Sequence, residues 1–271
     1  MTFDAYKAID AVNWSTLKNL RDSALHYRHA MENGRPDTPA LALGRVTHAL
    51  VFEPDTFARD YAIYEGGDRR GKDWEAFKAE NECRTIFKPT EIDAAVAMAD
   101  AVKRHPLVQP YLDGGEFERL LEWKDDLTGM RCKAKVDWVV PKLRLLVDLK
   151  TAQTIDGRRF GAAAHRYGYV GQLAHYQAGI IAALGWVPAE VAIIAVESHE
   201  PYDVGVFVVD GDTLYVGEEE RRELLTTLAA HRASNQWPGR YSEKQALQLP
   251  AYVFTDDEES DTDQTFGLTV R

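Results

Sequence analysis

Apolar positions in the first hundred residues recur at helical spacing, and those after Phe117 recur in short strand-like runs. Asn13 to Met31 predicts a helix with Leu17, Leu20, Ala24, Leu25 and Tyr27 on its core face, ended by Asn33-Gly34-Arg35-Pro36. Ala40 to Phe52 predicts a second helix, stopped or turned by Glu53-Pro54-Asp55. After a loop from Gly66 to Gly71, Lys72 to Cys83 reads as helical. Thr90-x-x-Asp93 resembles a capping box for a helix reaching Arg104, and Pro106 and Pro110 break the chain beyond it.

Phe117 to Trp123, Met130 to Val140 and Arg144 to Lys150 then read as strands. The dividers Asp125 to Gly129 and Pro141-Lys142 suit hairpins, so the three form an antiparallel meander. Arg158 to Leu184 gives one or two helices, Val191 to Val196 and Val204 to Val209 two more strands, and Thr213 to Ser234 a last helix. Helices followed by βββ–α–ββ–α describe an α/β layer fold with a central, mostly antiparallel sheet and a helical N-terminal segment. Residues 1–250 are expected to form a single domain, helical over 1–112 with a core over 113–235. The run at Asp256 to Asp261 marks 251–271 as an acidic, mobile tail.

Composition narrows the class. The balance of 45% hydrophobic and 28% charged residues is that of an ordinary soluble globular protein. No apolar run is long enough for a membrane span, and the N-terminus has no signal-peptide pattern, so a cytoplasmic setting is expected. Cys83 and Cys132 are too few for a disulfide framework, a four-cysteine zinc site or a cysteine-ligated iron–sulfur cluster. The net charge of −11 is unevenly spread. Residues 190–271 hold 17 acidic against 6 basic residues, whereas Thr128 to Leu173 holds nine basic residues against three aspartates. The basic stretch can face phosphates while the acidic end faces elsewhere.

The chemistry lies in that stretch. Side chains alternate along a strand, so Lys133, Lys135 and Asp137 share one face, and Cys132, Ala134, Val136 and Trp138 share the other, apolar, core side. On the next strand Asp148 and Lys150 share a face, about 6.5 Å apart. Pairing the strands brings Asp137 beside Asp148. Two close carboxylates repel unless a cation lies between them, and hard oxygen ligands suit Mg²⁺ or Mn²⁺. Such an ion can lower the pKa of a bound water, and Lys150 can orient or deprotonate that water or bind a phosphoryl oxygen. A lone D-x-K is a frequent accident on surface hairpins, so its neighbours decide. Gln172 and Tyr176 lie on one face of the following helix, with Tyr169 one turn earlier. Gly44-x-x-x-His48 lies on the second helix, where His48 is either a core histidine or a nitrogen ligand. Arg158, Arg159 and Arg166, with Lys133, Lys135 and Tyr169, are candidate DNA contacts.

Gly44-x-x-x-His48, Asp137, Asp148-x-Lys150 and Gln172-x-x-x-Tyr176 occur in the order that resembles PD-(D/E)XK nucleases of the RecB-like group, most similar to the exonuclease VIII (RecE) C-terminal nuclease domain. Residues 41–54, 131–150 and 167–176 carry the likeness, which runs from about residue 13 to 210. Trp14-Ser15-Thr16-Leu17-Lys18 resembles that group's opening helix. The resemblance implies a restriction-endonuclease-like core. It implies His48, Asp137, Asp148 and the Leu149 carbonyl as ligands of, in all, two Mg²⁺ or Mn²⁺ ions. Lys150 would be the catalytic lysine, and Gln172 and Tyr176 would position the scissile phosphate. It also implies an acidic residue ahead of the first motif strand. Glu116, Glu118 and Glu122 are candidates, with Glu122 nearest the hairpin.

The activity implied is processive 5′→3′ digestion of double-stranded DNA from a free end, in phage-type recombination. A ring-shaped homo-oligomer (trimer or tetramer) and a single-strand annealing protein would be the partners. Three other readings compete. They are an endonuclease or repair nuclease of the same fold, a catalytically inactive DNA-binding protein, and a metal site for another phosphoester.

Overall fold

A computed structural model describes residues 3–34, 38–112 and 114–249, so the acidic run at 251–271 and the stop signal at Arg35-Pro36 lie outside the described residues. The helical part holds α1 (Phe3–Ala8), α2 (Trp14–Leu17), α3 (Ala24–Asn33), α4 (Pro39–Phe52), α5 (Phe57–Asp60), α6 (Gly71–Glu80) and α7 (Pro89–Arg104). Two short strands, β1 (Tyr61–Ile63) and β2 (Thr85–Phe87), pair in parallel within it. The core comes next as β3 (Glu116–Lys124), β4 (Arg131–Val140), β5 (Leu145–Ala152), α8 (Gly157–Tyr167), α9 (Tyr169–Leu184), β6 (Glu190–Glu197), β7 (Val204–Val208) and α10 (Gly211–Ser234).

The main sheet has the order β3-β4-β5-β6-β7. Three neighbouring pairs are antiparallel, and β5 and β6 are parallel because α8 and α9 form the crossover between them. The meander holds, and the stretch expected as one or two helices over 158–184 is two, with Gly168 at φ +75° dividing α8 from α9. Helices cover both faces. Phe52 of α4 and Met98, Ala99 and Val102 of α7 pack on Trp138, Val147, Leu149 and Ile194. Leu173 and Ile180 of α9 pack on Ala134, Val136, Leu146 and Ile193. Each such fully buried aliphatic side chain stabilises the fold by about 1.5–3 kcal/mol, so the sheet is fixed from both sides.

Three local expectations are corrected. The first predicted helix is broken: a 3-10 turn over Lys18–Arg21 separates α2 from α3. The Asn19 side chain donates to the Thr16 carbonyl at 2.8 Å, and Ser23 Oγ accepts from the His26 N–H at 3.3 Å, which restarts the helix. The restart turns Leu25 outward, 53% exposed, while Leu17, Leu20, Ala24 and Tyr27 remain buried. At α7 the cap is Lys88 rather than Thr90, since Glu91 reaches back to accept the Lys88 N–H at 2.7 Å. The third concerns faces. Trp138 does not share a core with Ala134 and Val136 but packs on the opposite side of the sheet.

Candidate active site

That change of face marks the site. The β3–β4 register is constant, and it sets Glu118 opposite Asp137, in the gap between the Phe117–Trp138 and Arg119–Val136 pairs. Glu118 has φ +51°, a conformation rare outside glycine, and it breaks the alternation of β3 where β4 breaks at Asp137. On the other side, β4 and β5 pair only over Trp138–Val147, Val139–Leu146 and Val140–Leu145. Continuing this register puts Asp137 opposite Asp148. There the ladder stops, and the Leu149 N–H is given to Asp137 Oδ2 at 3.1 Å. Meanwhile β5 stays paired to β6 from Leu145 to Ala152. The two strands therefore part into a fork whose inner edge is Asp137, Asp148 and Lys150.

The remaining motif residues converge on the fork. Lys150 Nζ lies 2.5 Å from Asp148 Oδ2, and the Tyr169 ring centre is 5.0 Å from the ammonium. Gln172 Nε2 donates to Asp148 Oδ1 at 3.1 Å and to the Tyr176 hydroxyl at 2.6 Å. From the opposite face of the sheet α4 presents His48, whose Nε2 is 2.7 Å from the Leu149 carbonyl and whose Nδ1 is 3.5 Å from Asp137 Oδ2. Gly44, one turn earlier, lets α4 lie against Thr151: a Cβ at Gly44 would stand 3.4 Å from the threonine hydroxyl.

Burial sets the electrostatics. Asp137 and Asp148 are 9% and 1% exposed. Desolvation raises both carboxyls to about 6, against the pull of Lys150, and each is raised further by a neighbouring acid, Glu118 for Asp137 and Asp137 for Asp148. Burial alone would lower the Lys150 pKa, but Asp148 and Asp137 outweigh it, so the ammonium is held above its ordinary range. His48 is lowered by burial and then by Lys150, which keeps the imidazole neutral and able to act as a ligand. Tyr176 is raised well above the usual tyrosine range by burial and by the two aspartates, so it keeps its proton.

The donor set fits a divalent cation. His48, Glu118 and Asp137 offer ligand atoms within 4.8 Å of one another. Buried Asp148 Oδ2 has the Lys150 ammonium 2.5 Å away and, among the described residues, no other polar partner. Carboxylate oxygens with one imidazole suit a hard or borderline ion, and a positive charge would relieve the crowding of three acids. Of the expected ligands, the structure brings His48, Asp137, Asp148 and the Leu149 carbonyl together.

The additional acid at this cluster is Glu118. Glu122, the one nearest the hairpin, lies opposite Lys133 and pairs with Arg131 at 3.0 Å, away from the fork. Counting back to the residue opposite Asp137 would have selected Glu118. The candidate DNA contacts also divide. The Lys133 ammonium is buried, donates to the carbonyls of Tyr6 and Ile9 at 2.7 and 2.8 Å, and sits 4.6 Å from the Tyr6 ring centre. It anchors the segment around α1 and is closed to DNA. Lys135 pairs with Glu118 beside the fork. Arg158, Arg159 and Arg166 are exposed.

The α2 segment also positions the site. Trp14 Nε1 donates to the Gly168 carbonyl at 2.8 Å, Lys18 to Tyr167 at 2.9 Å and Arg21 to His165 at 3.0 Å. These donors satisfy the C-terminal carbonyls of α8 and fix the turn from which α9 delivers Tyr169 and Gln172. Gly171 is needed at this joint, since a Cβ there would stand 2.1 Å from the Trp14 ring.

Among the described residues no helix is long and apolar enough to cross a membrane. A search of curated proteins finds no match to the chain. Among solved structures, an exonuclease by inferred assignment from Eubacterium rectale is similar over 93% of both chains, at 15% identity and a TM-score of 0.59. A phage-related exonuclease from Haemophilus somnus 129PT matches over 83% of this chain and 96% of its own, at 14% identity and a TM-score of 0.38. The first likeness shows a shared fold. Residues 13–249 match the family described as a PDDEXK-like domain of unknown function (DUF3799). With that match spanning most of its length, and with the forked strands, paired aspartates and lysine in place, the chain belongs to this PDDEXK-like family and has the PD-(D/E)XK nuclease fold.

Proposed function

We propose that this protein is a Mg²⁺- or Mn²⁺-dependent deoxyribonuclease that digests linear double-stranded DNA from an end in the 5′→3′ direction. The observation that carries hydrolysis is the fork, where two buried carboxylates and a lysine meet Glu118 and His48. Family membership and the ordered motifs support the nuclease reading. Attack from an end, its polarity and processivity rest on the resemblance to RecE-type nucleases.

The residues have separable tasks. Asp137, Asp148, Glu118, His48 and the Leu149 carbonyl would hold the ions. A divalent ion bound there would supply a water of lowered pKa and neutralise charge on the phosphate. Lys150, kept as an ammonium by Asp148 and Asp137, is suited to binding a phosphoryl oxygen and orienting the attacking water. Tyr176 accepts from Gln172 and keeps its own O–H to donate to a phosphate oxygen. Gln172 fixes both Asp148 and that hydroxyl. Exposed Arg158, Arg159 and Arg166 are suited to more distant phosphates.

Incubation with linear and covalently closed circular DNA, with Mg²⁺ or Mn²⁺, tests the reading. Linear DNA should be consumed and circles spared. Cutting of circles would favour an endonuclease of the same fold, and full activity of Asp148→Ala would remove the assigned centre. A ring-shaped trimer or tetramer, a single-strand annealing partner and a cytoplasmic, phage-related setting belong to the same proposal. Sedimentation gives the first check, because a monomer at assay concentration would exclude the ring.

A further inference from the structure

The proposed catalytic lysine opens onto an aromatic and basic strip in which Tyr167 has no part in the proposed reaction. From Lys150 the Tyr169 ring is 5.0 Å away, and from Tyr169 the Tyr167 ring is a further 5.9 Å, the two planes 33° apart. Arg166 places its guanidinium 5.6 Å from the Tyr167 ring centre. Tyr167 is 49% exposed, unlike the tyrosines of the core, so about half of its surface is open to a ligand.

Its backbone is nevertheless fixed. The Tyr167 carbonyl accepts from Lys18, the preceding His165 carbonyl from Arg21, and the following Gly168 carbonyl from Trp14. Gly168 is at φ +75°, with the Arg21 guanidinium within 3.1 Å of where its Cβ would be. An accessible aromatic ring on a clamped turn, flanked by an arginine and leading to the catalytic ammonium, is preorganised for a ligand with a flat face and a neighbouring negative charge. A nucleobase with its phosphate has both.

We infer that Tyr167, with Arg166 beside it, is a stacking subsite for an unpaired DNA base near the phosphate held at Lys150. This rests on the nuclease reading of the fork. A base step in a strand rises about 3.4 Å, so the ring lies one to three nucleotides from that phosphate. A base inside a duplex is stacked on both sides and cannot use the ring, so the subsite takes a base at a strand end, where an unpaired one is freest to reach it. Arg166 binds the adjoining phosphate.

The test is binding of a short DNA duplex with a few unpaired nucleotides at one end, with Ca²⁺ as the only divalent ion. 2-Aminopurine is placed at each unpaired position in turn. One position should show quenching on binding. Tyr167→Ala should abolish the quenching and weaken binding about 5- to 150-fold, the range that one base–aromatic stack provides. Tyr167→Phe should restore both, and the Ala penalty should vanish on a probe lacking that base. Unchanged thermal unfolding of the Ala variant shows that the fold is intact. Binding by Tyr167→Ala within twofold of the unaltered protein, or an equal penalty on the abasic probe, overturns the subsite. Retained cleavage by Asp148→Ala, with the base-dependent binding intact, would support the subsite and refute the assigned catalytic centre alone.

Discussion

Ion binding at the fork should compete with protons in a pH range where ordinary carboxylates do not titrate. Asp137 and Asp148 are raised from 3.8 to about 6, chiefly by desolvation. One pH unit below its pKa a carboxyl is about nine-tenths protonated, so moving from pH 7 to pH 5 should weaken ion binding about tenfold per carboxylate. With both as ligands the loss approaches ~100-fold, or ~2.7 kcal/mol, expressed as two steps belonging to the pair. Carboxylates near 3.8 would give almost no change over this range. The same shift sets the stability of the ion-free protein. Its folded state keeps protons that the unfolded chain has released between pH 4 and 6, so stability falls as pH rises through that window. The loss is up to ~3 kcal/mol per carboxyl, with the pull of Lys150 already included. Calorimetric titration of the DNA-free protein with Mn²⁺ at pH 5, 6 and 7 reads the first effect, and Asp148→Asn should remove one of the two proton steps. An affinity that changes less than about twofold between pH 7 and pH 5 would refute the argument that these buried carboxylates hold the ion.

Other expectations rest on single contacts. Glu118→Gln should weaken Mn²⁺ binding about 10- to 100-fold, whereas Glu122→Gln should leave it near the unaltered value; the reverse order in a titration would restore Glu122 to the site. Gly171→Ala forces a methyl against the Trp14 ring and should cost about 1–3 kcal/mol, lowering Tm by about 2–10 °C, and an unchanged melt would contradict the packing at this joint. Fully buried His175 gives one ring nitrogen to the Lys133 carbonyl at 3.1 Å, and desolvation lowers its pKa from 6.5 to about 4. Its folded pKa lies below the unfolded value, so stability should fall by up to ~3 kcal/mol as pH drops from 6.5 to 4. Urea denaturation of His175→Gln should show a flatter pH dependence in that window, and an identical one would sink the assignment.

Much of the fold is legible in the sequence because periodicity and turn residues are local. The meander, the helical stretch after it and α4 derive from alternation, hairpin dividers and an apolar run stopped by Glu53-Pro54-Asp55. The rest depends on contacts distant in sequence. Nothing in Cys132 to Trp138 signals that the face changes midway, because both faces of this sheet are covered by helices and both therefore read as apolar. Lys133 reads as a surface cation until α1 is seen to bring carbonyls to it. Glu122 reads as the nearer acid until the register places Glu118 opposite Asp137. Asp137, Asp148, Lys150, Gln172, Tyr176 and His48 are legible through their order along the chain, and the structure adds their convergence on one fork.

That convergence explains why the sheet gives up regularity at one point. A continuous β4–β5 ladder would engage the Leu149 N–H with the neighbouring backbone. The fork instead gives that N–H to the Asp137 carboxylate and leaves the Leu149 carbonyl facing His48. A regular β3 would keep Glu118 in strict alternation, whereas its positive φ re-aims it at the same place. The two departures bring negative charge into a buried position at Asp137 and a half-buried one at Glu118, which destabilises the protein by itself. Leu149, Val147 and Trp138 on one face and Leu146, Val136 and Leu173 on the other hold the parted strands in place. The sheet's hydrophobic cover thus supplies the stability that lets acids be crowded together, and the crowding creates the demand for a divalent ion. On this reasoning, replacing a carboxylate by its amide should stabilise the ion-free protein while weakening ion binding, so a stability gain and a functional loss should arise from the same substitution.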